Sequence, residues 1–303
     1  MVRFLINVIA FGTFCPLIYL AFTFVYLQFP TIEKKWTQGI PNWISESSFQ
    51  TQMDRFESFC ASNEREHINL ILGSSTALHG INPEILGDNW YSLASRGQNP
   101  FVTSIVLEIA QAICQQHEAS IDTLVIDVYP EFCQEWVFEK ADALEHLALT
   151  SELSTMLPHA LQIFHGGGIR RLNSAFSYRV KHLTSPKVTQ KKRNLGYEAV
   201  KPAPWKNLFP VPWKGAIAPT CLKSIKQLDS SASTTFFLSP PVLHENHTKN
   251  LQSQLNPFIA SPWLDANTNS QFKDSTLFSD DHHLNDVGAT LNTNWIKSNF
   301  ILH

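Results

Sequence analysis

The chain has 303 residues, 44% of them hydrophobic and 17 of them proline, a globular composition with much loop rather than that of a disordered chain. That length holds one large domain or two small ones, with chain enough for a proper core. A formal net charge of −3 argues neither for nor against a polyanionic partner.

From Phe4 to Ile32 no side chain is charged, and Phe, Leu, Ile, Val, Ala and Tyr dominate. Roughly 20 apolar residues span a hydrocarbon core, so the run is long enough. It is too long for a signal-peptide core and no small-x-small cleavage site follows. Phe14, before Cys15, also spoils a lipoprotein signal. Residues 1–32 are therefore expected to form a transmembrane anchor and 33–65 a linker. Arg3 favours a cytoplasmic amino terminus, while Lys34 and Lys35 argue weakly the other way. A short positive start before a large globular portion places the domain outside.

Residues 66–303 read as one α/β domain. "INLILG" (68–73) is a short apolar run ending in glycine, as a buried parallel strand does. "NPFVTSIVLEIAQAICQQHE" (99–118) has apolar residues at helical spacing behind an Asn-Pro start. "DTLVIDVYP" (122–130) and "STTFFLSPP" (233–241) are two more strands, and "DVGATLNTNWIKSNF" (286–300) is a closing helix. Strands separated by helices imply a parallel sheet covered on both faces, with ligands gathering at the carboxyl ends of its strands.

Ser74 and Ser75 fall at such an end, as do the segments after Pro130 and Pro240. Serine after a strand is also a preferred helix cap. "YSLASRGQNP" (91–100) puts Gly97 in a loop before a helix, and "LFSDDHHLNDVGA" (277–289) puts paired acids and paired histidines before the last one. Asp280 and His283 are three residues apart, so one turn can face both into a cleft. A serine nucleophile needs a base for its proton and a carboxylate to orient that base. Asp281 and His282 read as solvated loop residues, and Asp127 and Glu131 as turn or capping residues. No metal is expected, because the acid–histidine cluster lacks further ligands at matching spacing. Cys60, Cys114, Cys133 and Cys221 have no zinc-site spacing and are expected to be buried free thiols.

These segments resemble the SGNH (GDSL-like) hydrolase and acyltransferase superfamily, in its membrane-anchored cell-envelope branch. That branch includes proteins that O-acetylate exopolysaccharides such as alginate and that D-alanylate teichoic acids. Its first block, a strand followed by Gly-x-Ser, is matched by Gly73-Ser74-Ser75; its second, a glycine amide, by Gly97. Its last, Asp-x-x-His with Leu-Asn-x-x-Gly, is matched by Asp280, His283, Leu284, Asn285 and Gly288. The resemblance covers residues 66–130 and 233–300. It implies a three-layer, flavodoxin-like domain with Ser75 as nucleophile, His283 as base, Asp280 as orienting acid, and the Ser75 and Gly97 amides as oxyanion hole. It implies no cofactor. It also implies a membrane-bound O-acyltransferase partner, a cell-envelope glycan as substrate, and an inner-membrane, single-pass placement with the domain facing the periplasm or the outside. The third block departs from the family: where an asparagine is usual, the strand ends "DVYPEF". Gln98 or Asn99 would have to help at the oxyanion. A non-catalytic envelope assembly or glycan-binding protein on the same fold is the alternative.

A mostly helical or loop insertion is expected at about 135–225. From Leu153 to Tyr197 it has no acid, yet it carries Arg170, Arg171, Arg179, Lys181, Lys187, Lys191, Lys192 and Arg193. This local basic surface suits an acidic glycan or anionic headgroups, with Arg170 and Arg171 as binding candidates. "HGGGIRR" (165–171) lacks the Gly-Lys-Ser/Thr of a phosphate loop. In "KPAPWKNLFPVPWKG" (201–215), Trp205, Phe209 and Trp213 suit sugar stacking or packing on the domain. There is no nucleic-acid motif and no internal repeat.

Overall fold

A computed structural model describes residues 11–15, 17–19, 21, 49–61, 66–129, 133, 193–201, 217–243 and 248–301. Helix α1 (Phe49–Ala61) leads into strand β1 (His67–Leu72), followed by two short helices, α2 (Ser75–Gly80) and α3 (Pro83–Leu86). Strand β2 (Trp90–Ser92), helix α4 (Pro100–Gln116) and strand β3 (Ser120–Asp127) come next. The two-residue strands β4 (Arg193–Asn194) and β5 (Tyr197–Glu198) precede helix α5 (Pro219–Asp229) and strand β6 (Thr234–Ser239). Helix α6 (Thr248–Leu255), strand β7 (Trp263–Asp265) and helix α7 (Asp286–Ile296) complete the chain.

The main sheet is ordered β2-β1-β3-β6-β7 and every neighbouring pair is parallel. Its strands are continuous apolar runs because both faces are covered. Ile68, Leu70 and Leu72 point into one core with Phe56, Val106 and Ile225, whereas Ile71, Val125 and Leu238 point into a second with Leu78, Ala289 and Ile296. Helices α1, α4, α5 and α6 thus cover one face and α2, α3 and α7 the other. Among the five strands, taken in sequence, the direction of winding reverses between β1 and β3, and a crevice opens there at the carboxyl ends.

The three expected strands and two expected helices form, with shifted ends. The second strand stops at Asp127 rather than at Pro130. The last helix gives way to a π turn at Lys297–Ile301. Strands β2 and β7 escaped the sequence reading because three residues are too few to display a period.

Two expectations need correction. Cys133 and Cys221 form a disulfide, while Cys60 and Cys114 are buried free thiols as expected. The pair lies 88 residues apart in sequence, and only the docking of the start of α5 onto the segment after β3, with the Ala218 amide donating to the Cys133 carbonyl, brings it together. Asp281, expected in solvent, is 5% exposed. Its carbonyl accepts from the Leu243 amide, which draws the loop in against the end of β6.

The insertion also returns to the domain. Leu195 accepts from the Ser92 amide at the edge of β2, and Gly196 (φ +86°) sits so close to the Ser92 carbonyl that no side chain fits. Among the described residues, no helix is long and apolar enough to cross a membrane. Most of the expected anchor lies outside them, as do Arg170, Arg171, Lys191, Lys192 and Trp205 to Trp213.

Candidate active site

The glycine and two serines after β1 divide their duties. Gly73 turns the chain with φ +138°. Ser74 is the N-cap of α2, its hydroxyl accepting from the Thr76 amide at 3.3 Å. Ser75, the first residue of α2, is partly exposed, and its Oγ lies 2.8 Å from His283 Nε2. The capping role and the reactive position thus fall to adjacent serines.

His283 comes from the loop ahead of α7. Its backbone carbonyl accepts from the Ser279 amide at 2.8 Å, closing a tight turn around 280–283. Asn285 caps α7 by accepting from the Val287 and Gly288 amides, and its Nδ2 donates to the Thr276 carbonyl. Two long-range bonds then lock α7 onto α2: Asn292 Nδ2 donates to Gly80 O at 2.9 Å, and the Asn82 amide donates to Thr293 Oγ1 at 2.9 Å. Positions 208 residues apart meet because those two helices are fixed side by side.

Asp280 completes the chain of contacts. Its Oδ2 is 2.7 Å from His283 Nδ1, and its Oδ1 accepts from the amides of His282 and His283 at 3.0 and 2.8 Å. Burial alone would raise this carboxyl, but the His283 ring and the His282 amide hold it well below the ordinary carboxylate range. An ionised Asp280 accepts a proton-bearing Nδ1 and so leaves the Nε2 lone pair facing Ser75.

Gly97 (φ +69°) lies in the loop after β2. Among the described residues, neither the Ser75 amide nor the Gly97 amide has a backbone acceptor outside the helices. Gln98 and Asn99 flank this loop, yet their side chains are turned inward, 2% and 1% exposed. Gln98 accepts from Ser95 Oγ and donates to Thr103 Oγ1, and Asn99 caps α4 by accepting from the Val102 amide. They hold the loop rather than reach out of it.

Three further groups surround the site. His79, four residues after Ser75 and therefore on the same face of α2, packs edge-on to His283 with ring centroids 5.5 Å apart. Burial lowers it to about 4, partly offset by its bond to the Glu198 carbonyl, so it is neutral. Arg96, next to Gly97, donates from Nη2 to the buried Glu198 carboxylate at 2.7 Å. His282, 2.6 Å from Asp281, stacks on Tyr129. The spacing of four from Ser75 could have disclosed His79. Nothing local marks Arg96 or Glu198, whose pairing spans 102 residues.

Asp280, His282 and His283 offer ligand atoms within 4.8 Å of one another, the one such cluster among the described residues. Both His283 nitrogens are already engaged, Nδ1 with Asp280 and Nε2 with Ser75, so a cation on His283 would compete with one of those contacts. No protein-family model matches the sequence, and no curated protein matches it.

Proposed function

We propose that the chain is a membrane-anchored acyltransferase or esterase that works through Ser75 on the O-acyl groups of a cell-envelope polysaccharide. The observation that carries this is the continuous relay Ser75 Oγ, His283, Asp280, with contacts of 2.8 and 2.7 Å. Ser75 attacks the ester carbonyl as His283 Nε2 takes its proton, and the tetrahedral oxyanion settles against the Ser75 and Gly97 amides. The imidazolium, oriented by Asp280, returns the proton to the leaving alcohol. A sugar hydroxyl or water, deprotonated by His283, then releases the acyl group. The order of the strands, that of a flavodoxin-like sheet, supports the SGNH reading, and the Cys133–Cys221 disulfide suits an exported domain.

By analogy with the envelope branch, a membrane-bound O-acyltransferase would hand the acyl group to Ser75, and Arg170 and Arg171 would steer an acidic glycan. A second reading, a non-catalytic assembly or glycan-binding protein, is favoured by the inward-turned Gln98 and Asn99. Without them the oxyanion rests on two amides, and one missing donor commonly costs about 10²–10³ in rate.

The deciding experiment is labelling of the full-length chain with a fluorophosphonate and mapping of the adduct. Modification of Ser75, abolished by Ser75→Ala, supports the enzyme; an unreactive Ser75 favours the binding protein. A reporter fused after His303 should be exported, and cytoplasmic activity of that fusion would remove envelope chemistry from consideration.

A further inference from the structure

Asp127, the last residue of β3, lies under the turn that carries Ser75. It is buried at 5% exposure, and no charged side chain pairs with it among the described residues. Its Oδ2 accepts from Thr76 Oγ1 at 2.5 Å and from Ser74 Oγ at 3.2 Å. Its Oδ1 is sealed from solvent without a partner. Gly73 makes room for this approach, since a Cβ there would come within 2.6 Å of Asp127 Cβ.

We propose that Asp127 is the positioning residue of the nucleophile, a buried clamp that binds residues 74 and 76 and leaves Ser75 between them to face His283. The role rests on reading Ser75 as the nucleophile. A buried carboxyl with no cation is costly, and an apolar residue would fill the space without that cost. What the carboxyl adds is two hydroxyl donors gathered from one turn, each fixing a residue beside Ser75. Such fixing matters at a reacting atom, where a displacement of about 1 Å can lower the rate roughly 10²-fold. Of residues 74 to 76, Ser75 is the one that Asp127 does not hold.

The clamp is sensitive to protonation. Burial pushes Asp127 up to about 6, against the hydroxyl donors that pull it down. From the turn into α2 it meets the Ser74 and Thr76 hydroxyls, from the end of β1 it meets Gly73, and across the register of β6 it meets Leu238. Among the described residues, no other titrating group bonds to it. A protonated carboxyl accepts more weakly, so the turn loosens as the pH falls through that value.

The test is the kinetics of fluorophosphonate modification at Ser75 in the full-length chain. Asp127→Asn and Thr76→Val should each lower the maximal inactivation rate about 10-fold or more with the half-saturating probe concentration unchanged, the pattern of a misplaced nucleophile. Thr76→Ser, which keeps the hydroxyl, should restore the parent rate. Asp127→Asn should also lose the part of the acid limb near pH 6. Amide exchange of residues 74–78 should speed up in both damaging variants while β1 and β3 stay protected. Folded variants with parent rates, parent pH dependence and parent exchange would overturn the clamp and leave the nucleophile intact. A parent that never labels at Ser75 would instead remove the nucleophile, and exchange alone would then show whether Asp127 holds the turn.

Discussion

Two carboxylates bracket Ser75, one in the loop before α7 and one at the end of β3, and the fold treats them in opposite ways. Asp280 keeps 17% of its side chain exposed and receives two backbone amides and an imidazole. Those donors strengthen the charged form, and its titration falls well below the ordinary range. Asp127 has no cation, one unpartnered oxygen and hydroxyl donors, and it rises to about 6. Asp127 is the more deeply buried of the two, and burial pushes it up. At Asp280 the partners outweigh burial: the His283 ring and two loop amides fix the anion, while neutral hydroxyls only soften the penalty of burying Asp127.

The largest expected effect breaks the loop side of this comparison. Asp280→Asn keeps the shape but offers an amide that can donate to His283 Nδ1, which favours the tautomer with the proton on the wrong nitrogen. Turnover, or labelling of Ser75, should fall by on the order of 10³–10⁴ while the far-ultraviolet spectrum stays that of the parent. Parent-like labelling would mean that Asp280 does not orient the base.

Much of the loop side was legible in the sequence, and little of the sheet side was. Asp280 and His283 are three residues apart before a capped helix, a spacing that a single turn turns into proximity. Ser75 follows a short strand, and the sheet rule puts such a residue at the carboxyl edge; Gly97 was legible only as a loop residue before a helix, because the three-residue β2 ahead of it shows no period. Asp127 was legible only as a strand-end acid with a capping role, because its partners lie 51 and 53 residues upstream. The pairings Arg96–Glu198 and Cys133–Cys221 cross similar distances and depend on where the end of the insertion docks, which no local pattern encodes. Asp281 was read as solvated because its neighbours are polar, yet its backbone is held by Leu243 from another strand end.

The next effect sharpens the comparison through pH and stability. For Asp127 the folded value near 6 exceeds the ordinary 3.8. Between those values the folded chain keeps a proton that the unfolded chain has released, so this group's contribution falls as pH rises. His79 acts in the other direction. Its folded value near 4 lies below the ordinary 6.5, so the unfolded chain takes up a proton first and stability rises with pH. Asp127→Asn should therefore gain on the parent by about 2–3 kcal/mol between pH 4 and 7, and His79→Gln should lose ground by a similar amount. Denaturant titrations at pH 4, 5, 6 and 7 give both slopes. Parallel curves for parent and Asp127→Asn would show that the carboxyl does not titrate there.

A third carboxylate tests whether the partner rule holds at greater burial. Glu198 has 2% of its side chain exposed and pairs with Arg96, whose own side chain is 47% exposed. Arg96→Gln removes that positive charge and leaves the carboxylate buried. The expected loss is about 1–3 kcal/mol at pH 7, less than for a fully buried pair because water reaches the arginine. Denaturant titration of the parent and Arg96→Gln at pH 7 measures it. A midpoint equal to the parent's would show that the half-exposed arginine adds nothing to the hold on Glu198.

The smallest effect asks whether the cap serine feels the charge beneath it. Ser74→Ala removes the hydroxyl that accepts from the Thr76 amide and donates to Asp127. A lost N-cap alone costs about 1 kcal/mol, and that part does not depend on pH. The bond to Asp127 does depend on it, since a hydroxyl bound to a charged acceptor is worth more than one bound to a neutral acid, roughly 1.5–3 against 0.5–1.5 kcal/mol net. Above pH 6 the carboxylate is charged and both parts are lost; below it only the cap and a weaker bond are lost. Ser74→Ala should then destabilise the chain more at pH 7.5 than at pH 5, by about 1 kcal/mol. In the Asp127→Asn background the same substitution should cost equally at both pH values, which a four-variant cycle measures directly. A pH dependence that survived in that background would assign it to His79 or His282 rather than to the acid under the turn.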